Sequence, residues 1–155
     1  MNVKEVKPTP ERLLYLANNL REIDREEALA MSPLSDIHAT ICDSFEDSWL
    51  SGVVEVDDLP VLGWGAAPVG RGYWGLWMLG TDELSKYKKT LLKESRVFVG
   101  DILKATQARA LVNMTLQKNI LHRRWLQALG ADFAAPGPYG KNGEMFVPFM
   151  IKKKE

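Results

Sequence analysis

The sequence predicts a single mixed α/β (α+β) domain over residues 1–155, with a central, mostly antiparallel sheet flanked by helices. Three observations carry that prediction. A chain of 155 residues is the size of one ordinary domain. Hydrophobic residues make up 46% and charged residues 26%, the balance of a chain that can bury a core. Apolar periodicity starts at helical spacing, turns into strand-like runs, and then alternates between the two, which is the order of a mixed architecture.

The first third, about residues 9–46, reads as helical. Thr9-Pro10-Glu11 joins a side-chain cap, a first-turn proline and a carboxylate at the positive end of the helix dipole. Leu13, Leu16, Ala17 and Leu20 follow at helical spacing. Asp24-Arg25-Glu26-Glu27 reads as a variant capping box that opens a short helix ending before Pro33. Ile37, Ile41 and Phe45 mark a third helical stretch.

Strands and helices mix over about 49–151. Trp49–Asp57 and Pro60–Ala66 are β-rich runs joined at Asp57-Asp58, a hairpin signal. Gly70-Arg71-Gly72 leads into Tyr73–Leu79, whose large apolar groups on both faces predict a central strand. Thr81-Asp82-Glu83 reads as the start of a long helix with Leu84, Leu91, Phe98 and Ile102 as its stripe. Ala110–Thr115 reads as a strand, and Asn119–Leu129 as a helix stopped by Gly130, where left-handed backbone is needed. Asn142-Gly143 signals a turn before a last strand, Glu144–Ile151, in which Pro148 predicts an edge or a bulge. Residues 152–155 read as a solvated basic tail.

Composition narrows the function classes. Twenty Lys and Arg against twenty Asp and Glu remove the broad electrostatic reason to expect nucleic acid, although a local basic patch stays open. The single Cys42 forms no intrachain disulfide and suits a reducing compartment. His38 and His122 lie far apart with one cysteine between them, so no metal is expected. No apolar run reaches the length of a membrane span, and no secretory signal is read at the N-terminus.

The order of elements, with Asn119-Ile120-Leu121-His122-Arg123-Arg124-Trp125-Leu126-Gln127-Ala128-Leu129-Gly130-Ala131 near its end, resembles the GNAT (acyl-CoA N-acyltransferase) fold. The matching pattern is an Asn opening the penultimate helix and a helix ending in Leu-Gly-aromatic. Several blocks further resemble a phage branch of that fold, the family of podophage internal virion protein A. They are Leu20–Glu27, Trp77–Leu84, Leu111-Val112-Asn113, Asn119–Gly130 and Pro138-Tyr139-Gly140. This resemblance spans about residues 18–151. It implies a GNAT-like fold, a place among phage structural gene products, and action in the host cytoplasm during infection or in the virion.

An active member of that fold needs a loop after the central strand whose N–H groups face the CoA pyrophosphate at a helix N-terminus. At that place stand Leu79, Gly80 and Thr81, the candidate cofactor-binding residues, followed by Asp82 and Glu83. Two carboxylates there oppose an anion and cap a helix well. The fold also implies a tyrosine acid seven residues after the opening Asn. Counting from Asn119 reaches Leu126. His122, one helical turn away, and Tyr139 are the replacements, and Glu55 is a candidate base on the hairpin. Each has a plain alternative: His122 beside Arg123 and Arg124 suits a solvated helix face, Glu55 a solvent-facing strand position, and Asn119 an N-cap rather than a CoA contact.

Trp74 and Trp77 read as core, whereas Trp49, Trp64 and Trp125 are candidates for a partner-facing patch. Lys86, Lys88, Lys89 and Lys93 read as a solvated face, with DNA contact inside a capsid as the other reading. The resulting expectation is a virion-associated scaffold that is not an enzyme, has no cofactor, and binds phage structural proteins or itself. The alternative is an acetyl-CoA-dependent N-acyltransferase with a non-standard phosphate loop.

Overall fold

The computed structural model describes residues 1–153. Its elements run β1 (Val3–Val6), α1 (Pro10–Asn19), α2 (Glu22–Met31), α3 (Ile37–Glu46), β2 (Leu50–Val56), β3 (Leu59–Gly70), β4 (Tyr73–Gly80), a 3-10 turn (Asp82–Tyr87), α4 (Lys88–Thr106), β5 (Ala110–Leu116), α5 (Ile120–Ala128), β6 (Asp132–Phe133) and β7 (Phe146–Lys152). The strands form one sheet in the order β1-β2-β3-β4-β5-β7-β6, which is a mixed α/β architecture. Contacts divide the chain into two compact units: Met1–Ala67 with Trp77–Lys86, and Pro68–Leu76 with the residues from Tyr87 onward.

In the first unit, β1 pairs antiparallel with β2, and β2 turns into β3 through Asp57 and Asp58. Both have positive φ, 49° and 69°, as a tight hairpin turn requires. Thr9 accepts from Arg12 N–H at 3.3 Å to cap α1, and Asp36 accepts from Ala39 N–H at 2.8 Å to cap α3. The core is built from Leu16 and Ala17 of α1, Ile37, Ile41 and Phe45 of α3, Val53 of β2 and Leu79 of β4. Fully burying a Leu, Ile, Val or Phe side chain stabilises a fold by about 1.5–3 kcal/mol. Trp77 joins it edge-to-face with Phe45, centroids 4.9 Å apart, and its Nε1 donates to Ser48 Oγ at 2.9 Å.

In the second unit, β4 and β5 pair in parallel through Tyr73–Gly75 and Ala110–Val112, and β5 pairs antiparallel with β7 along its whole length. The Arg109 guanidinium lies 5.6 Å from the centroid of the Tyr73 ring. Leu91, Val99, Ile102 and Leu103 are the buried apolar face of α4. After α5, Gly130 takes a φ of +90°, the left-handed closure its position predicts.

Four expectations are corrected. The long helix does not open at Thr81–Glu83: Leu84 N–H bonds to Thr81 O at 3.0 Å, so those residues close a 3-10 turn and α4 begins at Lys88. Asp24 is no cap, because α2 opens at Glu22 and Asp24 points its fully buried carboxylate elsewhere. The Pro148 strand is not an edge, since β7 lies between β5 and β6. Proline is tolerated because the Pro148 carbonyl accepts from Ala134 N–H on the β6 side, and a strand residue directs N and O the same way. The missing donor therefore falls beside the two-residue β6 and not on the β5 ladder. Lys152 belongs to β7 rather than to a tail, and 154–155 lie outside the described residues.

Candidate active site

The end of β4 is occupied by its own chain. Gly80 N–H donates to Asp24 Oδ2 at 2.7 Å, and Gly80 O accepts from Arg21 N–H at 2.9 Å. Thr81 N–H donates to Val61 O at 3.0 Å, and Thr81 Oγ1 accepts from Glu83 N–H at 3.3 Å. Arg21 Nη1 completes the Asp24 carboxylate at 3.0 Å, an arrangement that compensates a charge removed from water. A Cβ on Gly80 would stand 2.6 Å from Leu84 Cδ2, so packing alone accounts for this glycine. Leu79 is buried in the core. Gly80 and Thr81 thus have no N–H group left over for a phosphate, and Asp24 supplies the anion that Gly80 holds.

A different anion-compatible terminus lies downstream. The 19-residue α4 opens at Lys88 with Tyr87 making no side-chain cap bond, with no acid in its first turn, and with Lys88 and Lys89 exposed. Sequence reasoning missed this start because Thr81-Asp82-Glu83 looks like a better cap than Tyr87. The available signal was the switch from acidic to basic residues at Ser85-Lys86-Tyr87-Lys88-Lys89.

In the second unit the β4–β5 ladder ends in a side chain. Asn113 Nδ2 donates to Leu76 O at 3.0 Å, while Asn113 Oδ1 accepts from Met114 N–H at 2.8 Å. One primary amide therefore stands where a direct backbone bond would otherwise continue the parallel ladder. At the far end of β5, Asn119 is 1% exposed and its Oδ1 accepts from His122 N–H at 3.4 Å, capping α5. His122 is buried, with Nδ1 3.4 Å from Thr115 Oγ1. The solvated-face alternative for His122 is corrected: its side chain packs inward against β5. Asn119, His122 and Thr115 form one cluster. Leu126 is 1% exposed and fills the position where the fold's tyrosine is expected.

Tyr139 is 54% exposed in the loop before β7. Glu55, in the first unit, is buried and ion-paired with Arg12 Nε at 3.1 Å, so neither the free base nor the solvent-facing strand position describes it. Trp49 is exposed, whereas Trp64 and Trp125 are buried and leave the expected partner-facing patch with one member. Among the described residues no group of His, Cys, Asp or Glu could hold a metal ion, and no helix is long and apolar enough to cross a membrane.

No family model and no curated protein sequence matches the chain. Solved structures do. Ard1 from Thermoplasma volcanium superposes over 100% of both chains with a TM-score of 0.75 at 12% identity. A GNAT-family acetyltransferase from Bacillus anthracis covers 100% of this chain and 97% of its own with a TM-score of 0.72 at 10% identity. The chain has the GNAT fold. YncA from Salmonella typhimurium, with its cofactor acetyl-CoA, matches 99% of this chain and 95% of its own with a TM-score of 0.68 at 12% identity.

These matches overturn two expectations, the leaning against an enzyme and the absence of a cofactor. The GNAT fold is shared with acetyltransferases, one of them holding acetyl-CoA. The acidic Asp82-Glu83 pair misled because it belongs to the 3-10 turn and not to the first turn of the long helix. These matches support the GNAT-like fold and do not show the narrower resemblance to internal virion protein A.

Proposed function

We propose that the protein is an acyl-CoA-dependent N-acyltransferase. The observation that carries this reading is the Asn113 amide closing the β4–β5 ladder after three residue pairs, in a chain with the GNAT fold. A parallel ladder that stops short is where an extended, amide-containing ligand can pair with strand backbone.

Acyl-CoA fits this chain at α4 and not at the end of β4. The donors of Gly80 and Thr81 are used internally, whereas the α4 N-terminus joins a positive dipole end to Lys88 and Lys89. Bound there, acyl-CoA supplies a thioester. The acceptor nitrogen bonds to the acyl carbon, the carbon–sulfur bond breaks, the amine loses a proton and the departing thiolate gains one. His122 is the group we assign to that last proton, with Asn119 and Thr115 fixing its place; Leu126 cannot exchange one.

Thiol release from acetyl-CoA across a panel of amines and peptide N-termini tests the reaction, and calorimetry with CoA tests the binding. Saturable CoA binding with amine-dependent thiol release is expected. Neither CoA binding nor thiol release across the panel would sink the reading. The place of action, in host cytoplasm during phage infection or in the particle, rests on the sequence blocks alone. Mass spectrometry of purified particles tests it.

A further inference from the structure

A cleft lies in the second unit, and neither Asn113 nor His122 lines it. Its walls are the C-terminal half of α4, the last turn of α5 and the end of β7, and it encloses about 610 Å³. The register of β5 on β7 sets its distance from the cluster: Lys152 opposes Ala110 at the start of β5, whereas Asn119 follows Leu116 at its end. A seven-residue strand, about 20 Å, separates the Lys152 edge of the cleft from Asn119, while its α5 wall begins at Gln127, five positions after His122.

The chemistry of this cleft is divided. Val99, Leu103, Leu129 and Ile151 form an apolar floor, all buried. Arg96, Lys104, Lys152 and Lys153 line the rim, and among the described residues no Asp or Glu lines the cleft. Arg96 Nη2 reaches Ala128 O at 3.5 Å, and Lys152 Nζ lies 3.9 Å from Asp132 Oδ2 at the outer side. Among the described residues Lys104 and Lys153 have no ion-pair partner. Four cations over an apolar floor concentrate positive potential, offset by a carboxylate only at Lys152, where Asp132 stands at the outer side.

Gly100 adds an independent observation. It stands in the interior of a 19-residue helix, where glycine is less favourable than alanine, and it lines the cleft. A Cβ built there meets nothing within 4 Å, so close packing does not account for the glycine. Arg96, Gly100 and Lys104 follow each other at i, i+4 and i+8 on one stripe of α4, with the glycine opening room between two cations.

We propose that this cleft binds a small anionic amphiphile, a single apolar chain ending in a carboxylate. The chain lies on the Val99–Leu103–Ile151 floor beside Gly100, and the carboxylate meets Lys104 and Lys153. A flat basic surface would suit a polyanion; an enclosed apolar floor with a cationic rim suits one chain and one head. The site is independent of acyl transfer, so its failure leaves the acyltransferase reading untouched.

Calorimetric titration of the whole protein with decanoate tests it, with decan-1-ol and acetate as partial probes. Saturable one-to-one binding of decanoate is expected, with decan-1-ol and acetate each at least about tenfold weaker. The K104Q/K153Q double variant should weaken decanoate binding about tenfold or more, and G100L should abolish it. Leucine favours helix more than glycine does, so G100L is expected to keep or raise the melting temperature, which separates a filled cleft from a misfolded protein. Absence of saturable decanoate binding overturns the proposal. So does equal binding of the alcohol, or undiminished affinity in a folded G100L protein.

Discussion

Asn113 and Leu76 are joined side chain to backbone, Nδ2 to O at 3.0 Å, at the point where the three-pair ladder of β4 and β5 ends. The same amide receives Met114 N–H at 2.8 Å, so a single residue serves one backbone group on each strand. An interposed amide keeps both groups hydrogen-bonded while holding the strands further apart than direct pairing would.

Asn113→Leu removes both bonds while keeping the size of the side chain. Stability should fall by about 1–3 kcal/mol, the cost of leaving polar groups without partners. CoA affinity should fall with it. Urea unfolding and calorimetry check the two effects; an unchanged midpoint together with unchanged CoA binding refutes the role assigned to the amide.

Asp24→Ala strips the carboxylate that Gly80 N–H and Arg21 share at a fully buried position. Removing one partner of a buried ion pair typically costs about 3–5 kcal/mol. The urea midpoint should drop accordingly. A loss below about 1 kcal/mol means that the carboxylate does not hold the helical segment to the end of β4.

Lys88→Glu with Lys89→Glu separates binding from stability. Two carboxylates in the first turn of α4 should favour the helix by about 0.3–1 kcal/mol each through its dipole. They should also oppose a phosphate and weaken CoA binding by at least about tenfold. Calorimetry beside thermal unfolding reads these opposite signs. If CoA affinity survives the reversal, the phosphates bind elsewhere.

His122→Gln keeps the side chain polar and removes its ability to carry a proton near neutrality. The rate of thiol release should fall by about 100-fold, within the usual range for a general acid. CoA binding should change by no more than about twofold. A rate and pH profile equal to those of the parent protein would end the assignment.

Cys42 tests the electrostatics of α3. Burial raises its thiol pKa above the ordinary value, and Glu46, Asp43 and Asp36 add to the rise. The thiolate is the reactive form, so the thiol should react with a disulfide reagent more slowly than free cysteine at pH 8 and speed up only at higher pH. A rate equal to that of free cysteine contradicts this account.

Much of the fold was legible because its signals are local. Thr9 caps the helix that follows it, Asp57-Asp58 turns a hairpin, and Gly130 ends α5. The misreadings share one cause. Asp24 looks like a capping residue until Gly80, 56 positions away, claims its carboxylate. Pro148 looks like an edge residue until Ala134 shows which side its missing donor faces. The candidate site was legible only at Asn119 and His122, which are neighbours on one helix.

The amino-acid sequence by itself determined the mixed α/β class, the order of the elements from α1 to α5 and the Thr9 cap, because periodicity, turn chemistry and capping act within a few residues. Tertiary structure alone decided which groups are left to do chemistry. It assigned the Gly80 N–H to Asp24, the Asn113 amide to Leu76, and His122 to a buried place beside Thr115. A hydrogen-bonding group has limited capacity, and which distant partner takes it up depends on contacts between segments that local sequence signals do not specify.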